Sequence, residues 1–157
     1  MQLNNDNITK LDSILIPSDE LNFITNYKYK FKNIFSGIPF NYYNDHNFSP
    51  NVLTHIKKII ISNFKDNEFY RDYNYELYFE DYFNEFKKWI NKYKIKNIGL
   101  PYVTKGNWNK IYIKLINDNS SVNFVYLHRK YDKEAWQFSK KGFFNFKKQI
   151  PELITRL

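Results

Sequence analysis

The sequence predicts an α+β fold: an antiparallel sheet of strand-rich hairpins, two central amphipathic helices and a short C-terminal helix. Short segments of alternating apolar and polar residues predict the strands, and apolar residues spaced by three and four predict the helices. At 157 residues the chain fits a single domain, 1–157. Within it we expect a loose N-terminus at 1–12, strands plus two helices at 13–97, and a basic aromatic sheet plus closing helix at 98–157.

The first strands are expected in short segments between Ser13 and Phe48. Tyr27, Tyr29 and Phe31 alternate with lysines. This period of two is typical of a strand with one buried face.

Two helices follow these strands. Ser49 and Pro50 mark the start of the first helix, because serine caps free N–H groups and proline at the first helical position loses no hydrogen bond. Its apolar stripe extends to about Lys65. The second helix is expected over about 75–94, where acidic residues precede basic ones and complement the helix dipole.

The last third is predicted to begin with a hairpin. Alternating residues at 111–115 and 122–131 predict its two strands, and the segment 117–121 supplies the turn. A further strand is expected over 136–146. Ile150, Leu153, Ile154 and Leu157 then have the spacing of a short closing helix.

The excess positive charge lies almost entirely in this last third. From Ile98 to the C-terminus there are 11 Lys and Arg residues against 4 Asp and Glu, a net +7 of the chain's +8, together with 11 aromatic residues. Cations that replace counterions along phosphates and rings on which bases stack are the features of a surface for single strands. An AT-rich genome would also enrich Lys, Asn, Ile, Phe and Tyr, so coding bias is the alternative explanation.

We therefore predict a non-catalytic protein that binds single-stranded nucleic acid, most simply DNA, in replication or transcription. The predicted face combines basic and aromatic residues of the last third: Lys105, Trp108, Lys110, Lys114, Arg129, Lys130, Trp136, Phe138, Lys140 and Lys141. If Trp136 and Phe138 instead belong to a core, the lysines only solvate the opposite face.

Part of this region resembles the positive cofactor four family of transcriptional coactivators. The similarity is carried by Lys140, Lys141, Gly142 and Phe143 and by the segment 148–154, within a stretch from Trp108 to Leu157. The resemblance implies a bent antiparallel sheet with a following helix, a homodimer, and single-strand binding beside transcription or replication proteins. The Pur-alpha and Whirly families share this architecture.

Two other functions remain open. The 32 aromatic residues suit a protein–protein module, such as a small subunit of a polymerase or viral assembly. His128 beside Arg129, with Asp132 and Glu134 nearby, has the residue types of a small ribonuclease or toxin.

Several classes of site are not expected. The chain has no cysteine, no histidine pair with metal-ligand spacing and no Gly-rich phosphate loop, so we predict no cofactor and no metal. Its apolar runs are too short to span a membrane. The lack of a signal-like N-terminal region predicts an intracellular protein, cytoplasmic or nuclear.

Overall fold

The computed structural model describes residues 11–23, 31–40, 48–103, 106–129 and 143–155, together with residues 132, 135, 136 and 138. The predicted loose N-terminus up to residue 10 and the alternating residues Tyr27 and Tyr29 lie outside this part of the chain. The chain divides into two compact units, Met1–Leu127 and His128–Leu157, here called the sheet unit and the C-terminal unit. The expectation of one domain stays a prediction.

The sheet unit is built on five parallel strands in the order β3-β2-β1-β4-β5. The strands are β1 (Ser13–Pro17), β2 (Asn33–Gly37), β3 (Asn74–Tyr78), β4 (Asn97–Pro101) and β5 (Asn123–Leu127). The predicted antiparallel sheet is therefore wrong, and the fold is α/β. Every residue of β1 and β2 is buried, as is usual for inner strands of a parallel sheet covered on both faces.

Helices connect the strands and cover the sheet. They are α1 (Pro50–Asp66), α2 (Tyr82–Tyr93) and α3 (Asn107–Asp118), and two short 3₁₀ turns lie at Ser18–Glu20 and Glu68–Tyr70. The side chains of α2 and α3 pack against one face of the sheet through Leu15 and Phe35. Those of α1 pack against the other face through Ile14 and Ile34.

The first helix is confirmed. It begins where Ser49 and Pro50 predicted, and the Ser49 hydroxyl oxygen accepts a hydrogen bond from the Val52 N–H at 3.4 Å. The second predicted helix is confirmed only from Tyr82 onward, because 74–78 is the edge strand β3.

The predicted strand at 111–115 is wrong, because this segment lies in α3. Trp108, Ile111, Tyr112 and Leu115 are its buried residues, at the i, i+3, i+4 and i+7 positions of one helical face. Ile113, which the alternating pattern placed in the core, is 51% exposed. No hairpin forms here, and β5 pairs with β4 instead.

An aromatic cluster fills the core beneath α2. The ring of Phe35, which is fully buried, lies between 5.0 and 5.3 Å from the ring centroids of four neighbours. These neighbours are Tyr78, Tyr82, Phe86 and Trp89. Much of the aromatic excess is thus used in packing this core, where each ring removes a large apolar area from water.

Asparagine begins four of the five strands. Asn33 and Asn74 are register partners, and the Asn33 side-chain amide donates to the Ser13 hydroxyl at 3.3 Å. Farther along the same edge, the Asn123 amide donates to the Asn97 side-chain oxygen at 3.0 Å. The abundant asparagine therefore supplies hydrogen bonds along the amino edge of the sheet.

Glu76 joins the edge strand β3 to α2. Its carboxylate accepts hydrogen bonds from Lys92 at 2.7 Å, from the Tyr93 hydroxyl at 2.8 Å and from the Tyr78 hydroxyl at 2.6 Å. Burial alone would raise the pKa of Glu76, but the bonds from Lys92, Tyr78 and Tyr93 together lower it. The hydrogen bond to Glu76, followed by burial, raises the pKa of Tyr78 to about 12.

These pKa shifts predict that the free energy of unfolding has a plateau near neutral pH and falls at both acid and alkaline pH. The lowered pKa of Glu76 favours folding above its ordinary value of 4.5, and that contribution disappears as the pH falls through the folded pKa. The raised pKa of Tyr78 favours folding below pH 10.0, and that contribution is lost as the pH rises from there through about 12.

Urea unfolding at a series of pH values measures both contributions to the free energy of unfolding. Glu76→Gln should cost about 1–3 kcal/mol near neutral pH and reduce the loss at acid pH. An acid limb identical in both proteins would contradict this role.

Beyond His128 and Arg129, the described residues of the C-terminal unit are helical. Residues 132, 135, 136 and 138 are helical, and α4 (Phe143–Thr155) contains Pro151. The predicted strand at 136–146 is wrong. The closing helix is confirmed but begins earlier than expected. Among the described residues, no helix is both long and apolar enough to cross a lipid bilayer.

Candidate functional site

The ten residues of the predicted binding face divide between the two units. Trp108, Lys110 and Lys114 belong to α3 of the sheet unit. Arg129, Trp136 and Phe138 belong to the C-terminal unit. Lys105, Lys130, Lys140 and Lys141 lie outside the described residues.

The α3 residues do not form an exposed aromatic and basic surface. Trp108 is 3% exposed and its indole N–H donates to the Ser18 hydroxyl at 3.2 Å. Lys114 donates to Asp118 at 2.7 Å and its ammonium lies 5.0 Å from the ring centroid of Phe83. Lys110 is exposed. Trp108 is therefore a core residue, and a base cannot stack on it without unfolding this helix.

Trp136 differs from the other two tryptophans in its exposure. It is 37% exposed, whereas Trp89 is 1% and Trp108 is 3% exposed. Its ring packs edge-on against His128, with centroids 5.3 Å apart and planes at 85°. An indole ring with this exposure offers a flat apolar surface on which a ligand or partner can pack.

Charged and aromatic residues lie within a few positions of Trp136 in sequence. Arg129 lies 3.9 Å from the Asp132 carboxylate, and both side chains are about one-third exposed. Phe138 is half-buried. Because its guanidinium lies next to a carboxylate, Arg129 is less suited to clamp a phosphate alone, as the ribonuclease hypothesis requires.

Positive charge is concentrated in the C-terminal unit. Residues 128–157 contain eight Lys and Arg against three Asp and Glu, whereas residues 1–127 contain sixteen against thirteen. Lys147 and Lys148 of α4 are exposed and were not among the predicted site residues. Their position next to each other in a basic segment was the available signal.

The sequence analysis did not predict a group of polar and aromatic residues at the carboxyl edge of the sheet. Ser18 and Asp19 directly follow β1, and the Ser18 hydroxyl donates to the Asp19 carboxylate at 2.9 Å. Tyr102 follows β4 and is 41% exposed. These residues follow the carboxyl ends of two neighbouring parallel strands, β1 and β4, an arrangement that the predicted antiparallel sheet did not allow.

Aromatic rings continue this group into the core. The Tyr112 hydroxyl donates to the Pro101 carbonyl at 3.0 Å, and its ring lies 6.2 Å from that of Tyr126. Burial, followed by the phenols of Tyr82 and Tyr126 and the carboxylate of Asp19, raises the pKa of Tyr112. Tyr112 therefore stays neutral at physiological pH and serves as a hydrogen-bond donor.

The described residues contain no group of three or more His, Asp or Glu side chains placed to hold a metal ion. The chain matches no protein-family model, no curated protein and no solved structure. Residue roles therefore rest on this chain's own geometry, and the resemblance to the positive cofactor four family stays a prediction.

Proposed function

We propose that the C-terminal unit binds single-stranded nucleic acid without catalysis, with Trp136 as a stacking platform. The observation that carries this proposal is that Trp136, the one exposed tryptophan among the described residues, lies in the unit with the charge excess. Such binding would act in replication or transcription, and the proteins of those processes would be its partners.

The chemistry of stacking favours single strands. The face of an indole ring is available to a base only when that base is not already stacked within a duplex. Base–aromatic stacking contributes about 1–3 kcal/mol per base and tolerates any base, while lysines and arginines follow the phosphates. Lys147 and Lys148 on α4 are exposed cations of this kind.

Trp136→Ala is expected to weaken binding of an oligo-dT single strand by about 1–3 kcal/mol, because the stacking surface is removed. Fluorescence anisotropy at modest ionic strength measures the affinity. The free energy of unfolding should fall by less than the loss of about 3–5 kcal/mol expected for a fully buried ring, because the ring is 37% exposed. Phe48→Ala is the matched control, because Phe48 has the same exposure but lies in the sheet unit. Equal affinity in wild type and Trp136→Ala would refute the role of Trp136.

A second candidate is a protein–protein module. Val52 and Ile59, seven positions apart in α1, are 42% and 49% exposed, which is unusual for apolar side chains on one side of a helix. Salt distinguishes the two functions. The logarithm of nucleic-acid affinity falls linearly with the logarithm of salt concentration, with a slope of about −0.7 for each phosphate contacted on a single strand. An apolar interface responds little.

A further inference from the structure

The sheet has a topological switch point between β1 and β4. From β1 the chain proceeds to β2 on one side, and from β4 it proceeds to β5 on the other. The covering helices change face accordingly, with α1 on one face and α2 and α3 on the other. In open parallel sheets, ligands bind outside the carboxyl ends of the strands at this point.

A hydrogen-bonded chain lies at this position. The Trp108 indole N–H donates to Ser18, and Ser18 in turn donates to one oxygen of the Asp19 carboxylate. Asp19 is exposed. The bond from Ser18 thus orients the Asp19 carboxylate, which can accept further hydrogen bonds from a ligand in solvent.

An exposed ring lies on the other side of the switch point. Tyr102 immediately follows β4, and its N–H donates to the Leu127 carbonyl at 2.7 Å, which fixes its backbone against β5. The ring packs edge-on against Tyr126, with centroids 6.4 Å apart. Tyr126 contacts Tyr112 and Tyr112 contacts Trp108, so rings connect Tyr102 to the Ser18 side.

The described charged side chains that follow β1 and β3 disfavour a phosphate group. The charged described residues that follow β1 and β3 are all acidic: Asp19, Glu20, Glu80 and Asp81. The described residues directly after β2 and those between β4 and α3 are uncharged, and Lys105, also between β4 and α3, lies outside the described part of the chain. A ligand that suits this edge has hydrogen-bond donors and a flat apolar part, without a strongly negative group.

We propose that the carboxyl edge at the β1–β4 switch point binds an unphosphorylated nucleoside. The ribose hydroxyls donate to the Asp19 carboxylate and the base stacks on Tyr102. This site lies wholly in the sheet unit and is independent of the single-strand binding proposed for the C-terminal unit.

The indole N–H resonances of the three tryptophans test this proposal. In ¹⁵N-labelled full-length protein titrated with adenosine, the Trp108 resonance should shift, because its hydrogen-bond partner Ser18 contacts Asp19. The Trp89 and Trp136 resonances should not. Trp108→Phe, Trp89→Phe and Trp136→Phe assign the three signals. A shift confined to Trp136 would refute this site while leaving the nucleic-acid proposal standing.

Matched variants and ligands then locate the contacts. Asp19→Asn, at an exposed position, should weaken adenosine binding roughly ten-fold or more, because hydrogen bonds to a charged acceptor are lost. The wild-type protein should bind 2′,3′-dideoxyadenosine more weakly than adenosine, to a similar extent. It should also bind adenosine monophosphate more weakly than adenosine. Tyr102→Phe should bind like wild type and Tyr102→Ala should not. No shift of Trp108 at millimolar adenosine, or equal affinity for adenosine and its dideoxy analogue, would overturn the proposal.

Discussion

Replacing Gly37 with alanine is expected to lower the free energy of unfolding by at least about 3 kcal/mol. Gly37 ends β2 with a φ of 131°, a conformation that side chains disfavour. A Cβ atom there would lie 1.8 Å from the Tyr78 carbonyl oxygen, which accepts a hydrogen bond from the Ile38 N–H at 3.1 Å. Relief therefore requires β2 to separate from β3. Urea denaturation followed by circular dichroism measures the loss.

Gly106 provides the control for this experiment. Its φ is 152°, yet an added Cβ atom would have no neighbour within 4 Å. Gly106→Ala should therefore cost only the backbone strain, about 1–3 kcal/mol. The difference between the two variants isolates the steric clash at the end of β2. Equal losses would show that the strands separate there at little cost.

Phe35→Ala is expected to destabilise the fold by about 3–5 kcal/mol, because it leaves a cavity at the centre of the aromatic cluster. The ring is fully buried and contacts four other rings. Each such pair contributes about 0.5–1.5 kcal/mol beyond its buried area, so the upper part of the range is expected. Chemical denaturation gives the energy, and near-ultraviolet circular dichroism should lose intensity as the surrounding rings relax.

Phe35→Leu separates volume from ring geometry. Leucine retains most of the apolar volume but none of the edge-on ring contacts, so we expect a loss of about 2 kcal/mol. If leucine cost as much as alanine, the contacts between rings rather than the filled volume would dominate this core. If leucine cost nothing, the four ring contacts would add no energy of their own.

Local signals in the sequence predicted local structure well. The serine and proline at 49 and 50 located the start of α1, because capping and the missing proline N–H act within one turn. By contrast, the segment 108–115 fits both periods. From Ile111 onward its apolar residues alternate as in a strand. When Trp108 is included, the apolar residues have the helical spacing of the face that is buried in the structure.

Strand direction could not be read from the same patterns. Parallel strands are joined by crossover helices, whereas antiparallel strands can be joined by tight turns. The helix at 107–118, which joins two of the parallel strands, was not predicted. Without it, the segment 97–101 was not recognised as a strand, and the segment 123–127 was assigned to a hairpin with 111–115. The continuous burial of Ile14, Leu15 and Ile16 is the feature typical of a parallel sheet.

The candidate sites were predictable to different degrees. The charge excess and Trp136 are visible in the sequence, because they depend on composition within one segment. The hydrogen bond of the Trp108 indole depends on a partner, Ser18, that is distant in sequence. The meeting of Asp19 and Tyr102 at one edge depends on strand order alone, which no local pattern encodes.

The position of β1 in the middle of the sheet has a consequence for how the chain folds. β1 pairs with β2 on one side, but Ser13 finds its partner on the other side only at Ile98. Such distant contacts slow folding, because a long loop must close before the contact is made. During synthesis, the first three strands can associate while one edge of β1 is still open. Until β4 pairs with β1, this edge stays open, and an unpaired strand edge makes a nascent chain prone to aggregation.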